Sequence, residues 1–275
     1  MKNRKLVSMM LIAAVFAIGG CSKDEPTTTD VPEVSVSQIK KLGLAMSNAN
    51  DVDQIAVAAT ATGNVNQRLS GNGLPYFAGS CAVVTDDPVA GRTIVDFGAS
   101  CIGNDSVERK GKIITDYTGD IFNEGVVITI SFEDYYVNGR HIEGTRTITN
   151  LGINDAGNMH WQVVASNMKS TDPTGEWRSW NSTRDREMIQ GFGTPDISDD
   201  VFLINGTADG AFSDGNTFSA NILNLKRDFA CSWIQEGYII GLIRGKVYSV
   251  DFGRDCDNEV TITFPDQHRE ILFLR

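Results

Sequence analysis

Val126-Val127-Ile128-Thr129-Ile130-Ser131-Phe132-Glu133 decides the fold class. Apolar and polar residues alternate, which puts Ile128, Ile130 and Phe132 on one face of a strand. Asn138-Gly139 follows, a strong two-residue hairpin signal, because a type I′ turn needs positive φ twice. Glu143 to Asn150 (EGTRTITN) then reads as the returning strand. Outward from this hairpin, Met159 to Met168 alternates through Trp161, Val163 and Ala165. Val201 to Ile204, Phe218 to Ile222, Val247 to Phe252 and Val260 to Phe264 continue the series. The breaks carry turn chemistry: Asp155-Ala156-Gly157-Asn158, Asp172-Pro173-Thr174-Gly175 and Asp214-Gly215-Asn216. Many strands at short spacing without intervening helices predict a mainly β domain over residues 73–275. It is expected to be an antiparallel meander forming a sandwich or a strongly curved sheet.

Residues 34–72 have another texture. Ile39, Leu42 and Met46 share a helical face, and Asp51 to Ala61 (DVDQIAVAATA) is rich in Ala, predicting one or two short helices. Gly71-Asn72-Gly73 ends the segment. It is expected to pack on the β domain or to hang loosely from it.

The N-terminus explains an odd count of 5 Cys in 275 residues. Lys2, Arg4 and Lys5 form a basic n-region, and Leu6 to Ala17 an apolar run too short for a hydrocarbon core of about 30 Å. Residues 1–20 therefore read as a signal peptide. Ile18-Gly19-Gly20-Cys21 resembles the lipobox of bacterial lipoproteins, which implies that Cys21 carries diacylglycerol and an acyl chain such as palmitate. Several acyl chains suffice for stable anchoring. Residues 21–33 read as a tether, Thr- and Pro-rich at Pro26 to Pro32. Lys23-Asp24-Glu25 resembles the surface-export signal of Bacteroidota lipoproteins, so the outer membrane with display at the cell surface is expected, a periplasm-facing position being the alternative. Removing Lys2, Arg4 and Lys5 leaves 21 basic residues against 35 acidic, about −14 instead of −11. Such an acidic chain is repelled by phosphate backbones, so no nucleic acid is expected as partner.

Inside the β region Gly91 to Cys101 (GRTIVDFGASC) and Gly245 to Cys256 (GKVYSVDFGRDC) form a weak duplication. Each places a Cys three residues after Asp-Phe-Gly. Cys81 lies 20 residues before Cys101, and Cys231 lies 25 before Cys256. The parsimonious disulfides are Cys81–Cys101 and Cys231–Cys256, although four cysteines allow three pairings. Export makes disulfides plausible.

Several strings together resemble a known group. They are Arg109-Lys110-Gly111-Lys112, Tyr135-Tyr136-Val137-Asn138-Gly139, Ile142-Glu143-Gly144-Thr145, Trp180-Asn181-Ser182-Thr183-Arg184, Cys231-Ser232-Trp233-Ile234 and Asp251-Phe252-Gly253 with Cys256-Asp257-Asn258. In that order they resemble a set of uncharacterised Bacteroidota lipoproteins of the Flavobacteriia and Cytophagia type. The resemblance implies a β-rich outer-membrane or surface lipoprotein and implies no reaction.

No catalytic signature emerges. The two Asp-Phe-Gly strings lack a kinase glycine loop and catalytic loop, and no Gly-x-Ser-x-Gly elbow occurs. His141, His160 and His268 form no zinc-ligand spacing, and no metal or cofactor is expected. Most of the acids in Asp86-Asp87, Glu133-Asp134, Asp199-Asp200 and the Asp255, Asp257, Glu259 series read as solvated turns, the last three standing at alternate positions that would share one face of a strand. The densest polar–aromatic stretch is Trp177 to Glu187. On a strand, Trp177 shares one face with Ser179, Asn181 and Thr183, while Arg178, Trp180, Ser182, Arg184 and Arg186 share the other. A ligand face built from Trp177, Arg178, Trp180, Arg184 and Arg186 competes with a core Trp beside a solvated ladder, and the core reading is preferred. The expectation is a non-enzymatic binding or scaffold protein whose partner is a surface ligand or envelope protein. A carbohydrate hydrolase and a subunit of an outer-membrane assembly are the alternatives.

Overall fold

A computed structural model describes residues 38, 39, 43, 52, 53, 55–57, 59, 81–194, 199–231 and 233–274. The expected signal peptide, Cys21 and the tether lie outside the described residues, as does most of the 34–72 segment. The described part of that segment is helical: Gln38, Ile39, Gly43, Val52, Asp53, Ile55–Val57 and Ala59.

The chain from Cys81 is a run of strands. The first seven are β1 (Val83–Asp87), β2 (Arg92–Asp96), β3 (Cys101–Ile102), β4 (Glu108–Tyr117), β5 (Val127–Val137), β6 (Arg140–Ile153) and β7 (Met159–Thr171). Then come β8 (Trp177–Gln190), β9 (Val201–Phe212), β10 (Thr217–Asp228), β11 (Ile234–Ile243), β12 (Lys246–Asp251), β13 (Glu259–Thr263) and β14 (Arg269–Phe273). They form one 14-stranded antiparallel sheet in sequence order, with β3 set aside as a short partner of β4. The meander is therefore a single sheet and not a sandwich. Its path ends at β1 and β14, which remain edges among the described strands.

The deciding hairpin forms as its residues dictate. Val137 pairs with Arg140, and Asn138 and Gly139 between them take φ of 48° and 75°. Ile128 and Ile130 are fully buried, and Phe132 is part-buried against the same core. Beyond Phe132 the alternation reverses. Asp134 adopts a φ of 45°, the register slips, and Tyr135 and Val137 become the buried residues. The same reversal follows Asn167 in β7 and Asn224 in β10, both at positive φ. Each is a β-bulge, which increases local twist and bends the strand.

The bends let the sheet wrap its own N-terminal helical residues. Val52, Ile55 and Ala56 are at most 1% exposed and belong to the same core as Ile128, Val163 and Ile262. Asp53 pairs with Arg146 of β6, while a Cβ on Gly43 would lie 3.4 Å from Leu274, one residue beyond β14. In a flat sheet, eight strand spacings of about 4.8 Å would put β6 and β14 about 38 Å apart. Gly43 and Asp53 are both helical, and ten helical residues rise only about 15 Å, far less than that separation even with the reach of the side chains added. The sheet is thus strongly curved, with the described helical residues in its concavity. Val34 to Arg275 form one compact unit. Disulfides join Cys81 to Cys101 and Cys231 to Cys256, the pairing expected from the duplication.

Candidate functional site

The inner face of the curved sheet should be apolar, yet it carries arginines at its centre. Arg146 on β6 follows the inward parity of Ile142 and Ile148 and is fully buried. Arg184 on β8 is 5% exposed and stands opposite Gly206 of β9, where a Cβ would lie 2.8 Å from the Arg184 backbone. Arg186, two residues on, is part-buried and lies opposite Trp161 on one side and Ile204 on the other. Arg227 on β10 lies opposite Phe202. These four guanidinium-bearing chains line one cavity together with Asp53, Val163 and Ile204. The cavity volume is about 20 Å³, room for one or two water-sized groups.

The electrostatics of the cluster are uneven. Arg146 Nε donates to Asp53 Oδ1 at 2.6 Å and Nη2 donates to Oδ2 at 2.5 Å, a two-pronged pair out of solvent. Its Nη1 has no hydrogen-bond partner among the described residues. Arg227 Nη1 donates to the carbonyls of Asp228, Cys231 and Trp233, which ties the cluster to the loop held by the Cys231–Cys256 bridge. The Arg186 guanidinium stacks over the Phe202 ring at 4.1 Å. Among the described residues its Nε is buried without a hydrogen-bond partner and the side chain makes no ion pair. Burial drives Arg184 down to about 10, with Arg146 adding repulsion and Asp53 opposing it. Burial drives Arg186 to about 10 as well, against the pull of Asp53. Both remain cations at neutral pH.

The residues singled out in the sequence separate in space. Trp177 lies on the outer face, part-buried, with Lys169 over its ring at 5.8 Å. Arg178 is 2% exposed beside Asp172 of the β7–β8 turn, at 4.0 Å. Trp180 is 3% exposed in the core, so an exposed aromatic platform does not form. The physical reason is parity: the even-numbered face of β8 is the concave one. Arg184 and Arg186 alone of the five reach the cavity. Asp53, Arg146 and Arg227 were not foreseen, although Arg146 at an inward position between Gly144 and Ile148 carried a readable signal.

The acidic pairs have local roles. Asp87 accepts from the amides of Val89 and Ala90, Asp86 accepts from Thr93 and Tyr117, and Glu133 pairs with Lys112 at 2.6 Å. Among the described residues no three His, Cys, Asp or Glu converge as a metal site, and no helix is long and apolar enough to cross a membrane. Compared with known proteins, the chain matches no family model, no curated protein and no solved structure.

Proposed function

We propose that the chain is a lipoprotein, anchored through Cys21 in the outer membrane and displayed at the cell surface, whose curved sheet binds a ligand without chemistry. The observation that carries the anchor is the basic start, apolar run and Ile18-Gly19-Gly20-Cys21 ending, set ahead of a Thr- and Pro-rich tether. The binding role rests on the arginine-lined cavity, since charges buried beyond the needs of packing cost stability. A carbohydrate hydrolase would need two facing carboxylates. Among the described residues Asp53 is the single carboxylate on this cavity wall, and Arg146 holds both its oxygens. The experiment is metabolic labelling with palmitate in cells, followed by membrane fractionation and protease shaving. Label on the wild type, its loss in Cys21→Ala, and shaving of intact cells are the expected results. Label retained in Cys21→Ala would refute the anchor.

A second reading, a subunit of an envelope assembly, has its own observation. Leu223, Tyr238, Ile240, Leu242 and Val247 are 39–56% exposed on the outer face of β10 to β12. Leu223 pairs in register with Tyr238, and Leu242 with Val247, so the patch is continuous. Such patches mark interaction surfaces. Affinity purification of the tagged chain with and without Leu242→Lys tests it: a partner captured by the wild type and lost from the variant is expected.

A further inference from the structure

The cavity contains donors that the described residues do not use. Nη1 of Arg146 is buried without a hydrogen-bond partner among the described residues, and so is Nε of Arg186. Both side chains line the same small space, with Val163 and Ile204 as its apolar wall. A buried donor left unmade costs roughly 1–3 kcal/mol, and more when it is charged. Protein interiors keep such groups where something else satisfies them. Asp53 shows what this surface accepts: a carboxylate, held by the fork of Arg146. The guanidinium fork matches carboxylate and phosphate alike, and a cavity of about 20 Å³ admits the two oxygens of the first and not the four of the second.

We propose that the cavity bounded by Arg146, Arg184, Arg186 and Arg227 is a carboxylate-binding site, in which Arg186 is the principal ligand-facing cation. The ligand is a small organic acid or the carboxylate end of a longer chain, whose two carboxylate oxygens take the room for one or two water-sized groups that the cavity offers beside Val163 and Ile204. The site rests on the reading of the sheet as a binding module and names the chemistry that module recognises. Asp53 occupies one pole of the cluster, and the incoming carboxylate takes the other. Arg184 and Arg186 hold their protons to about pH 10, so the site stays cationic throughout the range in which a carboxylic acid is ionised. Arg186 also explains its own cost: a part-buried cation stacked on Phe202 would be better replaced by an apolar chain if packing were its purpose.

The test is thermal unfolding of the full chain, purified from membranes in detergent, in acetate, phosphate or chloride at one ionic strength. Acetate is expected to raise the wild-type midpoint saturably, as ligand linkage requires, while chloride leaves it unchanged. Arg186→Met should abolish the acetate increment and, in chloride, unfold above the wild type because a buried charge has gone. Arg186→Lys should keep a reduced increment, and Arg92→Met, on the exposed β2–β4 pair with Asp116, should keep all of it. An acetate increment undiminished in Arg186→Met, or equal to that in chloride, overturns the proposal. So does a phosphate increment larger than that of acetate. Butyrate and hexanoate separate the two sources: an increment that falls with chain length identifies a small acid, and one that persists identifies a chain end. Palmitate labelling of Cys21 is read independently, so the anchor and the site can fail separately.

Discussion

At Asp53 one carboxylate neutralises one guanidinium in a place where water cannot help. The side chains of Arg146 and Asp53 are 0% and 4% exposed, so truncating either strands the other. Asp53→Ala is therefore expected to cost about 3–5 kcal/mol, read as a lower urea midpoint at unchanged slope. The double variant Asp53→Ala with Arg146→Met should lose less than the sum of the single losses, because the stranded cation is gone. His268 offers the opposite case, an exposed group. Its Nδ1 lies 2.5 Å from Asp266, and its ring stacks on Phe264 at 4.2 Å. The Asp266 hydrogen bond is the main cause that raises His268 above 6.5, and the same bond lowers Asp266 below 3.8. A raised His value means that its contribution is complete below about pH 6.5 and is lost as pH rises through the folded value. A lowered Asp value means that its contribution is complete above about pH 3.8 and is lost as pH falls through the folded value. The turn between β13 and β14 is best held between those limits. An NMR titration should place His268 above 6.5, and Asp266→Asn should move it down.

Among the elements, the bulges decide which side chains face inward. The amide of Asn167, freed from the ladder, donates to Asn181 Oδ1 of β8 at 2.9 Å. The amide of Asn224 donates to Asn205 Oδ1 of β9 at 2.8 Å in the same way. Opposite each bulge stands a glycine: Gly144 beside Asn167, with φ of 115°, and Gly237 beside Asn224, with φ of 105°. A Cβ on Gly237 would lie 2.3 Å from the Asn224 carbonyl oxygen, and one on Gly144 2.7 Å from the Met168 Cα. Because backbone blocks both, Gly144→Ala and Gly237→Ala are each expected to cost at least about 2 kcal/mol, whereas Asn181→Ala should cost about 1 kcal/mol. Denaturant melts of the three variants check that order. These bulges also mark the limit of what alternation tells. Ile128, Ile130, Trp161, Val163 and Ala165 were legible as one face because they precede a bulge. Tyr135, Met168 and Leu225 were not, since a single extra residue reverses the parity without changing the composition. For the site, the sharing of one β8 face by Trp180, Arg184 and Arg186 was legible, but its direction was not. Both faces of that strand carry a Trp and polar residues, so hydrophobicity does not choose between them. Asp53 lies 93 residues from Arg146, and only the curvature of the sheet brings the pair together.

On the scale of the whole molecule, the described helical residues are part of the core and not an appendage. Ile39, Val52, Ile55 and Ala56 fill the concavity that a meander of fourteen strands leaves when it curls without closing. Burying Val52, Ile55 and Ile39 is worth about 1.5–3 kcal/mol apiece, against a net stability of about 5–15 kcal/mol for an ordinary domain. The disulfides do not compensate, because each constrains a loop at one flank and contributes about 3 kcal/mol. Cys81–Cys101 pins the β1–β3 end, and Cys231–Cys256 pins the β11–β13 end, with the arginine cavity between them. A chain beginning at residue 73 would therefore expose Ile128, Ile130, Val163 and Ile262 to water and leave Arg146 without Asp53. It is expected to bind a hydrophobic dye such as ANS, to lose its cooperative thermal transition and to aggregate through the open edges at β1 and β14. Adding Asp53→Ala to the full chain separates the two contributions: that variant should still melt cooperatively at a lower midpoint, since the apolar filling remains. A truncated chain that melted as sharply as the whole would show instead that the sheet holds its curvature alone, through bulges and disulfides.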